Sequence, residues 1–174
     1  MKQKFPDEAY FKNELENIKN ETELDQIGFN YSYTHFNRSN YGPWHYSSIQ
    51  YLRQREKITL IGRVNFTDRR VNGSSTNSGL LYEFETYFKN YEKSYSYFNI
   101  GFGNESVFPK FKISYSYFQD LGKGWEGEMG YRYNEREVEK INSGVIGIGK
   151  YFGSNWINAR TYVFSRRKQN NIHH

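Results

Sequence analysis

The sequence predicts an all-β fold, an antiparallel up-and-down transmembrane β-barrel of about nine strands, incomplete, with a short N-terminal helix before it. Three observations carry that expectation. Residues Phe111 to Gln119 place Phe111, Ile113, Tyr115 and Tyr117 on one side of an extended chain and Lys112, Ser114 and Ser116 on the other; a period of two marks a strand with one apolar and one polar face. Aromatic residues make up 20% of the chain, with 17 Tyr and 14 Phe. A tyrosine hydroxyl needs a partner in a dry interior, so this composition suits the aromatic rim of a barrel in lipid. Several alternating stretches also reach the roughly 9–11 residues that a tilted strand needs to cross a bilayer.

Composition narrows the classes further. At 174 residues the chain fits one domain, read here as a helical segment over 1–25, a barrel domain over 26–168 and a tail over 169–174. Mean hydropathy is −0.94, and there is no run of about 18 apolar residues, so helical spans are excluded. Cysteine is absent, which removes disulfides and thiolate metal sites. The net charge is +5, but the basic residues are spread over strands and turns, without the clustered footprint of a nucleic-acid binder. Met1 to Pro6 lacks the apolar core of an export signal.

Taken in order, Asp7 to Thr22 reads as a helix, with Phe11, Leu15 and Ile18 at helical spacing. It is either the end of a preceding helical repeat or an amphipathic leader. The strands expected after it run Gln26–Phe36, Trp44–Arg55, Ile58–Asp68, Leu80–Phe88, Ser94–Gly103, Phe111–Gln119, Trp125–Asn134, Val138–Tyr151 and Asn155–Arg166. Asn37 to Pro43 reads as a loop and Arg69 to Gly79 as the longest polar loop, both rich in turn-forming residues. Tight turns are expected at Glu56-Lys57 and Gly153-Ser154, and Asp120 to Gly124 closes the sixth strand. The two polar loops, with the links at Asn104 to Phe108 and Glu135 to Glu137, would face outside, and the helix would lie in the periplasm.

The polar faces of these strands carry Arg63, Glu83, Glu85, Glu126, Glu128, Arg132 and Arg160. In a barrel they line the lumen and pair by charge-assisted hydrogen bonds. In a soluble β-sandwich or lipocalin-like binder the same alternation puts charge in water and the apolar rows in a core. Periodicity alone does not separate the two; strand length and tyrosine content favour the barrel.

Sites of chemistry are sparse. His35 and His45 flank the first loop without a third ligand at metal spacing, and His173 and His174 end the chain. Glu83 and Glu85, and again Glu126 and Glu128, sit two apart on one face, as paired carboxylates in acid–base catalysis do. That spacing arises readily by chance on a strand, so an enzyme acting on outer-leaflet lipid or glycan is a distant alternative. No nucleophile elbow, P-loop or dinucleotide fingerprint is present. The cluster of Gly144, Gly147 and Gly149 suits close strand packing. No catalytic residue, metal or cofactor is expected.

An ordered set of segments resembles the YaiO-type outer-membrane β-barrel domain family. It comprises Gly42-Pro43-Trp44-His45, Leu60 through Arg69 (LIGRVNFTDR), Tyr82 through Tyr87 (YEFETY), Phe108-Pro109-Lys110, Gly130-Tyr131-Arg132-Tyr133, and Gly149 through Trp156 (GKYFGSNW). The resemblance covers Gln26 to the C-terminus. It implies a barrel in the outer membrane of a Gram-negative cell, often behind periplasmic helical repeats, serving a structural or narrow-pore role. It also implies outer-membrane lipid as a partner and an association with surface-polysaccharide machinery. With no export signal at its start and no strand text after Lys168, the chain reads as a fragment cut at both ends.

Overall fold

The computed structural model describes residues 23–38, 40–153 and 155–168. Nine strands follow one another: β1 (Leu24–Thr34), β2 (Tyr41–Gln54), β3 (Ile58–Val71), β4 (Ser74–Tyr91), β5 (Ser94–Gly103), β6 (Phe111–Gly122), β7 (Trp125–Glu135), β8 (Glu139–Phe152) and β9 (Asn155–Lys168). Each pairs antiparallel with the next in one nine-stranded sheet of order β1 to β9. Strand lengths of 10 to 18 residues far exceed the globular mode of about 5–6. The expected helix over Asp7 to Thr22, the tail over 169–174 and Ser154 of the last turn lie outside the described residues. β1 and β9 are the two edges of the sheet and do not pair with each other, so the sheet is open rather than a closed barrel.

Side chains are sorted between the two faces in the reverse of a soluble domain. Along the apolar face Ile27, Phe29, Met129 and Val163 are 78%, 75%, 69% and 72% exposed. Along the polar face Asn65, Asn99 and Ser116 are 2%, 2% and 0% exposed. Only three hydrophobic residues are buried among those described, Leu81, Val107 and Val145. No second sheet or helix covers the apolar face among the described residues, which removes the sandwich alternative for this part of the chain. A single-layer sheet hides one face only by curling toward it, so the sheet curves around its polar side.

The tyrosines reconcile a wet hydroxyl with an apolar surface. Tyr31 shares a hydrogen bond with His45 Nδ1 at 2.8 Å, and Tyr51 donates to Asp25 at 2.8 Å. Tyr131 donates to Asn142 at 2.5 Å and Tyr133 to Glu135 at 3.0 Å. Ser96, fully enclosed on the apolar face, shares a hydrogen bond with the Tyr115 hydroxyl at 3.0 Å and receives one from Asn90 at 2.8 Å. Each ring thus adds apolar area to the outer surface while its hydroxyl is satisfied by a neighbouring side chain on the same face.

Three stretches depart from the sequence expectation, the first being Tyr41 to Pro43, read as the end of a loop but found as the start of β2. Arg69 to Gly79 is not a loop: β3 runs to Val71, β4 begins at Ser74, and Asn72-Gly73 joins them. Both turn residues have positive φ, 53° and 76°, as a type I′ hairpin requires and as Asn-Gly favours. The polarity of the stretch reflects β4 running past the end of β5, whose last pair is Gly103 with Leu81, while β3 stays paired with β2 up to Val71; Asp68 accepts from Ser75 at 2.5 Å and from Arg70 at 2.7 Å. The sixth strand likewise continues through Asp120 to Gly122, and Lys123-Gly124 makes the turn. The end with the longer links now holds residues 35–40, 72–73, 104–110 and 136–138.

Gly73 and Gly62 both have open space where a Cβ would stand, but only Gly73 has positive φ. Gly73→Val is therefore expected to destabilise the folded sheet by about 1–2 kcal/mol through backbone strain alone. Gly62→Ala is expected to be neutral or slightly stabilising. Denaturant midpoints of the two variants check the difference.

Candidate functional site

The registers place all seven charged residues singled out in the sequence on the buried polar face. One row of paired positions runs Arg63, Glu83, Gly101, Lys112. A second runs Glu85, Asn99, Ser114, Arg132. A third runs Glu128, Gly147, Arg160. Glu126 lies two positions from Glu128 on β7, so it shares the face.

Six of the seven fall into two clusters. In the first, Arg63 donates to Glu85 Oε1 at 2.9 Å and to Gln50 Oε1 at 3.0 Å, and approaches Glu83 at 3.8 Å. Glu83 also receives Asn65 Nδ2 at 2.6 Å and pairs with Lys112 Nζ. In the second, Glu128 accepts Arg160 Nε at 2.5 Å and Ser116 Oγ at 2.8 Å, with Arg132 at 3.8 Å. Arg132 also stacks over the Tyr162 ring at 5.6 Å. Glu126 stands apart near the end with the short turns, where it accepts from the Tyr95 hydroxyl at 3.2 Å. Tyr95, Tyr87, Asp120 and Glu126 line a cleft of about 970 Å³ at that end.

Both clusters depend on a missing side chain. Lys112 and Glu83 are two strands apart, with Gly101 between them in the row. A Cβ at Gly101 would stand 2.8 Å from Lys112 Cε, so the lysine stem crosses β5 through the space the glycine leaves. Glu128 and Arg160 are likewise separated by Gly147, whose Cβ would stand 3.0 Å from Glu128 Oε2. Glycine in a strand weakens it by itself; here it opens the gap across which opposite charges meet.

Lys112, Gln50, Asn65, Ser116 and Tyr95 belong to these networks and were not singled out in the sequence. Alternation alone placed Lys112 and Ser116 on the polar side of β6; only the register reveals that Lys112 faces Glu83 over a glycine. Three of the four paired carboxylates are held by a cation: Glu83 by Lys112, with Asn65 beside it, Glu85 by Arg63 and Glu128 by Arg160, while Glu126 accepts from the Tyr95 hydroxyl. That arrangement is poor for acid–base exchange and good for neutralising buried charge. Among the described residues no group of three or more His, Cys, Asp or Glu side chains could hold a metal ion. His45 instead engages the Tyr31 hydroxyl.

Removing one partner of a buried pair leaves the other charge uncompensated. Arg160→Met, which leaves the almost fully enclosed Glu128 with Arg132 at 3.8 Å as its cation, is expected to cost about 3 kcal/mol, the low end of the range for a broken buried pair. Adding Glu128→Leu to it should return part of that loss. Urea unfolding of the single and double variants, each refolded in detergent, measures the difference.

No curated protein and no solved structure matches the chain. The model of the YaiO membrane beta barrel domain family matches residues 24–174, a span that begins where β1 begins and takes in every strand described. With its apolar residues turned outward and its charges paired on the inner side, the chain belongs to the YaiO membrane β-barrel domain family.

Proposed function

We propose that the sheet is the wall of an outer-membrane β-barrel whose apolar face meets lipid and whose polar face lines a narrow, side-chain-filled lumen. In this reading Arg63, Glu83, Glu85, Glu126, Glu128, Arg132 and Arg160 are lumen residues. Their clusters narrow the passage and stiffen the wall, and the role is structural or that of a small pore rather than catalytic. The observation that carries the reading is the inversion of burial: large apolar side chains outside, amides, hydroxyls and ion pairs inside. In water such a surface would be a severe aggregation hazard; in a bilayer it is what lipid requires. Of the partners implied by the family resemblance, outer-membrane lipid is the one this surface fits. A place beside periplasmic repeats or polysaccharide machinery would add a further partner at a strand end.

Fractionation tests the assignment. The protein is expected in the outer membrane, with a band whose mobility shifts on heating; a freely soluble monomer would overturn the reading. A second measurement probes the apolar face itself. Met129→Arg on an exposed surface in water would change stability by less than about 0.5 kcal/mol. Facing the bilayer midplane it is expected to cost about 2–4 kcal/mol, read as a lowered folding midpoint in lipid vesicles.

A further inference from the structure

We infer that the link between β5 and β6, residues 104–110, is an inward-folded constriction that narrows the barrel at its longer-link end. This rests on the polar face being the lumen, as proposed above. Gly79, Leu81 and Glu83 alternate with the outward-facing Leu80 and Tyr82, so a side chain at Gly79 would point inward. A Cβ built there would stand 2.8 Å from Glu105 Cβ and 3.0 Å from Val107 Cγ1. Gly103 pairs with Leu81 and so faces the same way; its Cβ would stand 2.8 Å from Phe108 Cβ and closer still to the Pro109 carbonyl oxygen. The body of the link therefore lies on the inner side of the wall, in a cradle that exists because two inward positions are glycine.

The link is fastened as well as cradled. The Asn104 side chain accepts from the Leu80 amide at 2.7 Å, and the Asn104 amide donates to the Leu80 carbonyl at 3.1 Å. The Gly103 amide donates to the Lys110 carbonyl at 3.2 Å, and the Phe108 amide to the Glu105 carbonyl at 3.0 Å. Val107 is one of three buried hydrophobic residues among those described. The burial of Val107 against the inner face at Gly79 anchors the link there, while Glu105 and Ser106 stay exposed at its surface. A solute entering at this end meets Glu105 and Ser106 before it reaches the ion-pair clusters below.

Two changes to the full chain, inserted in bilayers, test this. The first replaces residues 104–109 with Asn-Gly, which keeps Gly103 opposite Lys110; the second is Gly79→Leu, which fills the cradle without altering the ladder. Each is expected to raise single-channel conductance several-fold over the unaltered protein. The chain has no cysteine, so the pair Gly79→Cys and Val107→Cys should form one disulfide under mild oxidation, since the Val107 methyl sits where the sulfur must be. That oxidised variant is expected to keep the low conductance of the unaltered protein. A heat-modifiable, membrane-inserted protein whose conductance is unchanged by Gly79→Leu, or whose cysteine pair stays reduced, would overturn the constriction while leaving the barrel intact. Failure of the unaltered chain to insert would overturn the barrel reading and the constriction with it.

Discussion

Everything inside this wall depends on neutralising charge in a place that excludes water. Glu83 and Glu128 are almost wholly enclosed, and each is met by a cation two strands away. An ionised carboxylate left alone in such a site would cost several kcal/mol, so strand register, glycine placement and side-chain length must agree to within a bond or two. Slip one pairing by one residue and the charges of the slipped strand would turn to the apolar face, away from their partners. The ion pairs thus contribute less as net stabilisation than as a lock on register.

The two faces solve opposite problems with related chemistry. Outside, tyrosines supply apolar area and return their hydroxyls to neighbours in the sheet, as Tyr115 does to Ser96. Inside, amides and hydroxyls fill the space between ion pairs, as Asn65 does by binding Glu83 and receiving the Tyr46 hydroxyl at 2.7 Å. The result is a wall in which aromatic residues serve at both surfaces without an unsatisfied phenol among the hydrogen-bonded pairs described.

Much of this was legible in the sequence because a strand writes its two faces in alternate letters. Face assignment for Arg63, Glu83, Glu128 and Arg160 needed only parity, and strand ends at Ser94, Gly103, Phe111 and Trp125 were marked by Gly, Pro and polar clusters. The failure at Arg69 to Gly79 has a physical cause. Composition there is polar because β4 runs on past the end of β5, and Asn72-Gly73, a strong two-residue turn signal, was hidden among other turn-forming residues. Lys112 and Gly147 were illegible for another reason: their roles lie in what faces them across one or two other strands, and no local pattern encodes register.

The free edges carry one more consequence. β1 and β9 stand at odd places in an alternating series, so both run in the same direction. Joining them directly would create a parallel seam in an otherwise antiparallel cylinder. A seam antiparallel on both sides takes an odd number of additional strands, whatever their source, and an odd addition to nine gives an even total. Parity alone therefore ties the manner of closure to the strand count of the finished cylinder.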